Sequence, residues 1–294
     1  MTIGKSTPAF SLDPRLFQIA ALSGLLFFGL TQRAFEIELS HAAAILVAAC
    51  TAQWLGSMMV ASPLDLKSPV ITSLSLILLL RADAMWPLAI AAAIAVGSKF
   101  TLRLGGKHIF NPANIGIVSM VLLTGAAWTT PGQWGTAVWF AALLAGAGLF
   151  VTQRAARIDV PLIFLGVFAA LLFIRALWLG DPLAIPLHRL QNGALILFAF
   201  FMISDPKTTP DHPVARVLFV AATATAAFIM TFQFHLADGL FFSLAAMCLL
   251  RPLFDWLAPA QLYQWGDAPP SLPRIMNPIA SSTPIQNHHP GRLT

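Results

Sequence analysis

Ten apolar segments, separated by short polar connections, follow one another between residues 15 and 257. They cover residues 15–31, 42–60, 69–81, 86–98, 113–127, 136–151, 160–179, 191–204, 214–232 and 239–257. A membrane-spanning helix needs about 20 apolar residues, and the first, second, seventh, ninth and tenth segments meet this requirement. The pattern predicts an all-α, polytopic membrane protein with about ten transmembrane helices.

Three of the segments, the third, fourth and eighth, are too short to cross a bilayer as straight helices. Each contains only 13 or 14 residues. Short helices among long ones are typical of discontinuous helices, which end within the membrane and line a cavity. In the alternative interpretation, flanking residues complete ordinary tilted spans.

The amino-acid composition is typical of a protein that is surrounded mainly by the lipid bilayer. Apolar residues make up 57% of the chain and charged residues 10%, whereas about 25% of a soluble domain is charged. The two cysteines, Cys50 and Cys248, lie in separate apolar segments, so they indicate neither a disulfide framework nor an iron–sulfur site. The sequence contains no serine–histidine–aspartate pattern, metal-ligand spacing or P-loop, which argues against hydrolytic and ATP-driven functions.

Basic residues are distributed unevenly between the two sides that the segments define. With the N-terminus inside, the cytoplasmic side receives Lys5, Arg15, Lys67, Lys99, Arg103, Lys107, Arg154, Arg157, Lys207, Arg216, Arg251, Arg274 and Arg292. The outer side receives Arg33, Arg81, Arg175 and Arg189. This positive-inside bias predicts that both termini are cytoplasmic. The net charge of +5 then indicates contact with anionic membrane lipids, and nucleic-acid binding is not expected.

Two flanking segments differ from the membrane domain, which covers residues 15–257. Residues 1–14 are polar, are not expected to belong to a cleavable signal peptide and are expected in the cytoplasm. Residues 258–294 form a proline-rich cytoplasmic tail. From about residue 266 its composition predicts disorder, because it cannot bury enough apolar surface to fold.

The two halves of the membrane domain resemble each other. Residues 73–81, "SLSLILLLR", share a Leu-Ile-Leu core with residues 192–200, "NGALILFAF". Because a repeat of five spans is odd, two copies must have opposite topologies. The sequence therefore predicts two inverted five-helix repeats, at about residues 15–127 and 136–257.

The fifth and tenth segments extend this correspondence. Residues 111–123, "NPANIGIVSMVLL", align with residues 238–250, "DGLFFSLAAMCLL", which sets Asn111 opposite Asp238. Asn111 is a favourable N-cap, and Pro112 suits the first helical position because proline has no N–H to leave unpaired. Asp238 is expected to cap the mirror helix from the opposite side.

The first candidate binding segment is the octapeptide "KHIFNPAN", residues 107–114. Lys107, His108, Asn111 and Asn114 are costly to place beside a bilayer, so we predict that they form a loop that carries a ligand. Alternatively, they are an ordinary connection and helix start.

The connection before this octapeptide adds positive charge. Arg103 and Lys107 flank a Gly-Gly pair just before the helix that Asn111 begins. Backbone N–H groups, the helix dipole and cations together form an anion site, suited to a flavin phosphate or a lipid head group.

A second polar segment, residues 202–212, follows the short eighth apolar segment. Asp205 precedes a proline and is expected to end the helix. Lys207 and Thr208 can then bond free carbonyl groups or a ligand. Asn192 begins the same short helix from the outer side, as a cap or as part of a cavity wall.

Four segments of the sequence match a known family: "SPVITSLSLILLLR" (68–81), "SKFTLRLGGKHIFNPAN" (98–114), "PGQW" (131–134) and "FFMISDPKTTP" (200–210). Through them the sequence resembles the NqrB/RnfD family of flavin-carrying membrane subunits in sodium-pumping NADH:quinone oxidoreductase and Rnf complexes. The resemblance is closer still to a short offshoot of the family found beside enediyne-biosynthesis genes. It implies a urea-transporter-like fold of two inverted repeats in the bacterial inner membrane, with other membrane redox subunits or further copies of the chain as partners.

The family carries flavin mononucleotide esterified to a threonine, and the matching residues here are "PLAIPL" (182–187), with Ile185 at the threonine position. A hydrocarbon side chain cannot form a phosphoester. The resemblance therefore implies a noncovalent flavin, FMN or riboflavin, and electron transfer as the function. The alternative is a urea-transporter-like channel for a small or flavin-like solute, and a weaker one is a membrane anchor for a neighbouring enzyme.

Overall fold

The computed structural model describes residues 13–32, 35, 37–135 and 137–264. The predictions for residues 1–12 and for the tail from residue 265 lie outside the described residues. In the first half of the described chain the helices are α1 (Pro14–Gln32), α2 (Leu39–Met59), α3 (Lys67–Leu79), α4 (Met85–Thr101) and α5 (Pro112–Thr124). In the second half they are α6 (Val138–Arg154), α7 (Asp159–Leu179), α8 (Ala184–Leu190), α9 (Gly193–Leu197), α10 (Pro213–Phe232) and α11 (Gly239–Leu257).

The helices reproduce the ten apolar segments, with the short helix α8 in addition. By length and composition, α1, α2, α7, α10 and α11 could each cross a membrane. These are the five segments for which the sequence predicts full spans. The chain is thus a mostly helical, multi-pass membrane protein.

Two of the three short helices are confirmed. Helix α3 has 13 residues. Helix α9 continues as a π-helix, Phe198–Met202, and ends there. Helix α4, from the fourth segment, is longer than predicted, because Met85 and residues 99–101 extend it to 17 residues, although it remains shorter than the five helices that could cross a membrane. In α4 the flanking residues lengthen the helix, as the alternative interpretation requires.

Short extended segments depart from the all-α prediction. Strand β1 (Leu80–Ala82) follows α3 directly and pairs with β4 (Ala127–Thr129). Strands β2 (Arg103–Leu104) and β3 (Lys107–His108) form a hairpin before α5. Pairing the extended segments satisfies their backbone N–H and C=O groups, as an apolar environment requires.

Among the described residues, the basic side chains predicted for one side of the membrane meet at one end of the bundle, here named the basic end. Arg15 at the start of α1 pairs with Asp65, which precedes α3. Lys99 near the end of α4 donates to Ser68 at the start of α3 (2.7 Å). Helices α1, α3, α5, α7 and α10 begin at the basic end, and α2, α4, α6, α9 and α11 end there.

Small residues allow the closest helix contacts. Ala91 and Ala95 of α4 are fully buried. Helix α5 packs against them at Gly116, where an added Cβ would lie 2.6 Å from the Ala91 carbonyl oxygen. Small residues at such contacts let helix backbones approach within a membrane, where dispersion forces hold the helices together. In the first half α4 packs against α2 and α5, and in the second half α10 packs against α7 and α11.

Two glycines of α6 provide a matched test of the packing against the π-helix. A Cβ at Gly148 would lie 2.5 Å from Cβ of Phe200, whereas one at Gly146 meets nothing within 4 Å. We expect Gly148→Ala to lower the free energy of unfolding by about 1–3 kcal/mol, a typical cost of overpacking. Gly146→Ala should not lower it and should raise it slightly, because alanine has the higher helix propensity. Unfolding in mixed detergent micelles measures both, and equal effects would contradict this contact.

Candidate functional site

A polar cavity of about 100 Å³ lies at the basic end, between the two halves of the chain. The first half contributes the starts of α1, α3 and α5, and the second half contributes the ends of α6 and of the π-helix. The polar and charged residues in its lining are Arg15, Gln18, Ser68, Thr72, Ser75, His108, Asn111, Thr152, Ser204, Asp205 and Lys207. The two short helices α3 and α9 thus lead to a cavity, as predicted.

Asn111 holds one wall of the polar cavity in place. Its side-chain oxygen accepts the backbone N–H of Asn114 (3.0 Å), which confirms the predicted N-cap. Its amide nitrogen donates to the Met202 carbonyl (3.2 Å) and to Asp205 (3.4 Å). A single side chain therefore joins the start of α5 to the end of the π-helix.

Asp205 is the carboxylate of the cavity. It accepts the backbone N–H of Lys207 (3.0 Å) and lies 3.6 Å from His108 Nε2. Burial by itself would raise the pKa of Asp205, but the imidazole of His108 and the backbone N–H and ammonium of Lys207 hold this pKa below its ordinary value. The backbone carbonyl of Asp205 accepts the hydroxyls of Thr208 and Thr209.

Three hydroxyl groups on the cavity wall donate their protons to backbone carbonyl groups. Thr72 donates to the Ser68 carbonyl (3.0 Å), Ser75 to the Ile71 carbonyl (3.0 Å), and Thr152 to the Gly148 carbonyl (2.8 Å). These hydroxyls therefore offer oxygen lone pairs to the cavity. They accept hydrogen bonds from a ligand or water and donate none.

Lys107 corrects the prediction of a loop cation available to a ligand. Its side chain is 2% exposed and donates to Asp211 (2.9 Å) and to the Thr209 carbonyl (2.8 Å), with Asp255 at 3.7 Å. The hairpin directs the lysine into the protein, where buried charge requires partners. Its charge is thus used to join the two halves.

Three other predicted positions lie apart from the polar cavity. Arg103 is exposed on the hairpin and donates to the Gly106 carbonyl. Asn114 is fully buried and donates to the Phe241 carbonyl (3.1 Å) at the start of α11. Asn192 caps α9 through the Ala194 N–H (2.8 Å) at the opposite end of the bundle.

The prediction that the side chain of Asp238 caps α11 is wrong. Asp238 occupies the N-cap position, but its side chain caps no N–H group of the helix. Its carboxylate instead accepts the hydroxyl of Thr129 in β4. This bond joins the two halves at the end opposite the basic end.

Sequence reasoning missed Arg15 and Ser68 as cavity residues. Arg15 counts only as an inside charge in the sequence, yet it lines the cavity and pairs with Asp13 (2.8 Å). The repeated spacing of Ser68, Thr72 and Ser75 along one face of α3 is a signal that could have identified this wall.

A second cavity, here named the outer cavity, opens at the opposite end. Its volume is about 640 Å³, within the range of roughly 300–1,000 Å³ for small-molecule sites. The polar and aromatic residues in its lining are Phe35, Glu38, His41, Arg81, Asp83, Trp128, Thr130 and Gln133. Arg81 is fixed by bonds to the Gln133 side chain (2.9 Å) and the Ile77 carbonyl (2.7 Å).

The chain does not fit a covalently bound flavin at the family's position. Ile185 lies on α8 and has no hydroxyl, and residues 153–203 contain no serine, threonine or tyrosine. A phosphoester bond needs such an oxygen. The polar cavity, at about 100 Å³, is also below the range of roughly 300–1,000 Å³ for small-molecule sites, whereas the outer cavity lies within this range.

We therefore expect no flavin to remain attached to the denatured chain. Denaturing electrophoresis followed by in-gel fluorescence should show no flavin band at 31.6 kDa. Ile185→Thr provides the matched test of whether position alone restores attachment. A fluorescent band from the parent chain would contradict the alignment of residues 182–187.

Comparison with known proteins agrees with these features. Residues 119–264 match the model of the NQR2, RnfD, RnfE family. An ion-translocating oxidoreductase complex subunit of Escherichia coli O1:K1 / APEC is 31% identical over 142 residues, which cover 48% of this chain and 38% of the relative. Its counterpart in Escherichia coli O7:K1 (strain IAI39 / ExPEC) is 30% identical over an equal length. The chain thus matches well under half the length of these relatives. The resemblance to this family that the sequence motifs indicate is confirmed, over residues 119–264.

Proposed function

We propose that the chain is a membrane subunit of an ion-translocating oxidoreductase complex and takes part in electron transfer. The observation that supports this most is the family match across residues 119–264, a region that includes the ends of α6 and the π-helix at the polar cavity. The relatives named above are subunits of such a complex. Nothing in their names favours the alternative of a solute transporter.

We infer that the two halves are inverted repeats. The packing of α2, α4 and α5 has its counterpart in α7, α10 and α11. The pairs α1–α6 and α5–α11 also pack together, as expected where a pseudo-two-fold axis relates the halves. A urea-transporter-like arrangement follows if α3 and α9 are the two broken helices.

The proposed location is the bacterial inner membrane, with the basic end in the cytoplasm. The clustering of Arg15, Lys99, Lys107, Arg157 and Arg216 at one end supports this orientation by the positive-inside rule. Labelling single introduced cysteines from each side of inverted and right-side-out vesicles tests it. Modification at Gly105 from the outside of the cell would contradict it.

We propose that a noncovalent flavin, FMN or riboflavin, lies in the outer cavity. Trp128, which is 42% exposed, offers a ring face for stacking, and Arg81 places a fixed cation beside it. The flavin when bound supplies reversible electron uptake. Ile185, at the family's attachment position, lies in the connection between α7 and α9 at the same end of the bundle. The cofactor contacts predicted for Arg103 and Lys107 are not part of this proposal.

The visible spectrum of the purified protein tests the flavin proposal. We expect flavin absorbance that passes into the filtrate after denaturation. Trp128→Ala and Arg81→Gln should each reduce the bound flavin, whereas Trp86→Ala, at an exposed tryptophan in the first turn of α4, should retain it. A colourless preparation, or equal flavin content in all three variants, would contradict the proposed cavity.

A separate experiment tests the role within a larger complex. The tagged chain, purified from its native membrane in mild detergent, should bring other membrane redox proteins in fixed proportion. Mass spectrometry identifies them, and an unrelated membrane protein with the same tag is the control. Purification of the chain alone, under conditions that preserve a known Rnf-type complex, would contradict the proposal.

A further inference from the structure

Arg251, in the penultimate turn of α11, has an unused side of its guanidinium group. The residue is 1% exposed. Its Nη1 donates to Asp255, one turn further along the helix. Its Nε and Nη2 have no hydrogen-bond partner in the described part of the chain.

These two nitrogens lie on the same edge of the guanidinium group. Nε–H and Nη2–H point in parallel from one edge of the guanidinium plane, and this edge matches the two oxygens of a carboxylate or phosphate. A charged donor that is buried without an acceptor loses its hydration and gains nothing in return. This edge of the guanidinium group is therefore suited to bind an oxyanion through two parallel hydrogen bonds.

The surrounding charges favour an anion. Arg251, Asp255, Lys107, Asp211 and Arg157 form a chain of alternating charge, in which each neighbouring pair lies within ion-pair distance. Three cations alternate with two carboxylates, so the chain carries one excess positive charge. Arg157, at the other end of this chain, is 6% exposed and also has an unpartnered Nε among the described residues.

We propose that Arg251 binds an oxyanion through Nε and Nη2, with the net positive charge of this ion-pair chain contributing to affinity. The chemical class is a phosphate group, either a free phosphate or the head group of an anionic lipid. Arg251 lies near the end of α11, at the basic end, and because it is 1% exposed, either source binds only when the side chains that cover it move apart. This site is independent of the flavin proposed at the opposite end.

Thermal unfolding of the whole purified protein in detergent tests the proposal with two probes. The first is inorganic phosphate against chloride at equal ionic strength. The second is phosphatidylglycerol against phosphatidylcholine in mixed micelles. A ligand that binds only the folded state raises the midpoint, and we expect a rise of about 2–4 °C with at least one probe. A rise with phosphate identifies a free oxyanion, and a rise with phosphatidylglycerol alone identifies a lipid head group.

Two variants make the assignment specific. Arg251→Lys keeps the charge and the pairing with Asp255 but removes the parallel donors, so the apparent affinity for the probe should fall at least about tenfold. Arg103→Lys, at an exposed arginine of the same end, should respond as the parent does. Phosphorus-31 NMR of the parent protein, which does not depend on the folding of a variant, should show the bound phosphorus. No response to either probe, or an equal response in Arg251→Lys, would overturn the site.

Discussion

Replacing Lys107 with Met should lower the free energy of unfolding by about 3–5 kcal/mol. Lys107 is buried and lies within ion-pair distance of Asp211 and Asp255. Removing the ammonium leaves Asp211, 7% exposed in its side chain, with Arg157 as its remaining ionic partner among the described residues. A buried carboxylate that loses one of its two cationic partners destabilises the folded state. The ion pair that links the hairpin to the segment before α10 is also lost. Denaturation in mixed micelles measures the change.

Arg103→Met is the matched control for this substitution. It removes one positive charge from the same hairpin, but Arg103 is exposed and donates to the carbonyl of Gly106, three residues along the chain. Exposed charges of this kind contribute little to stability. If Lys107→Met proved as stable as Arg103→Met, the lysine would be a surface cation, as the sequence suggested, and the buried ion-pair chain would be wrong.

The second large effect is expected at the contact between α4 and α5. Gly116→Ala places a Cβ 2.6 Å from the Ala91 carbonyl oxygen and 3.0 Å from Cβ of Ala95. A backbone carbonyl cannot rotate away as a flexible side chain can, so the helices must separate. Separation should cost about 1–3 kcal/mol or more, measured as a loss of the unfolding midpoint and of the monodisperse fraction on size exclusion.

Gly97→Ala in α4 provides the comparison. A Cβ at Gly97 meets nothing within 4 Å, and alanine has the higher helix propensity. The two substitutions are chemically identical and lie on neighbouring helices, so opposite signs are expected for their effects. A loss of stability at Gly97 equal to that at Gly116 would show that the helix contact does not control the outcome.

The helices were predictable because the length of an apolar segment can be counted directly from neighbouring residues in the sequence. The five long segments and the short α3 and α9 follow from counting apolar residues, and Asn111 with Pro112 identifies the start of α5. Helix α4 extends beyond its apolar segment because Lys99, the first residue after the segment, finds partners within the protein and donates to Gln53 and Ser68. Sequence periodicity does not contain such partners.

The candidate site was only partly predictable for a similar reason. Asn111, Asp205, His108 and Lys207 meet at the polar cavity, as two separate polar segments suggested. The fate of Lys107 depends on Asp211, which is 104 positions away along the chain. A basic residue in a short connection looks the same in sequence whether it faces water or a buried carboxylate. Only the fold decides which.

The two ends of the bundle join its halves by contacts of unequal strength. At the basic end the halves share ion pairs from Lys107, while at the opposite end they are joined by the hydrogen bond between Asp238 and Thr129 and by ring contacts of Phe28 with Trp139 and Phe140. A hydrogen bond contributes about 0.5–1.5 kcal/mol, much less than disruption of a buried ion pair. Relative movement of the two halves should therefore be a rotation about the basic end. Such a rotation would carry the outer cavity along unchanged, because its lining lies within residues 35–133 and therefore belongs to the first half.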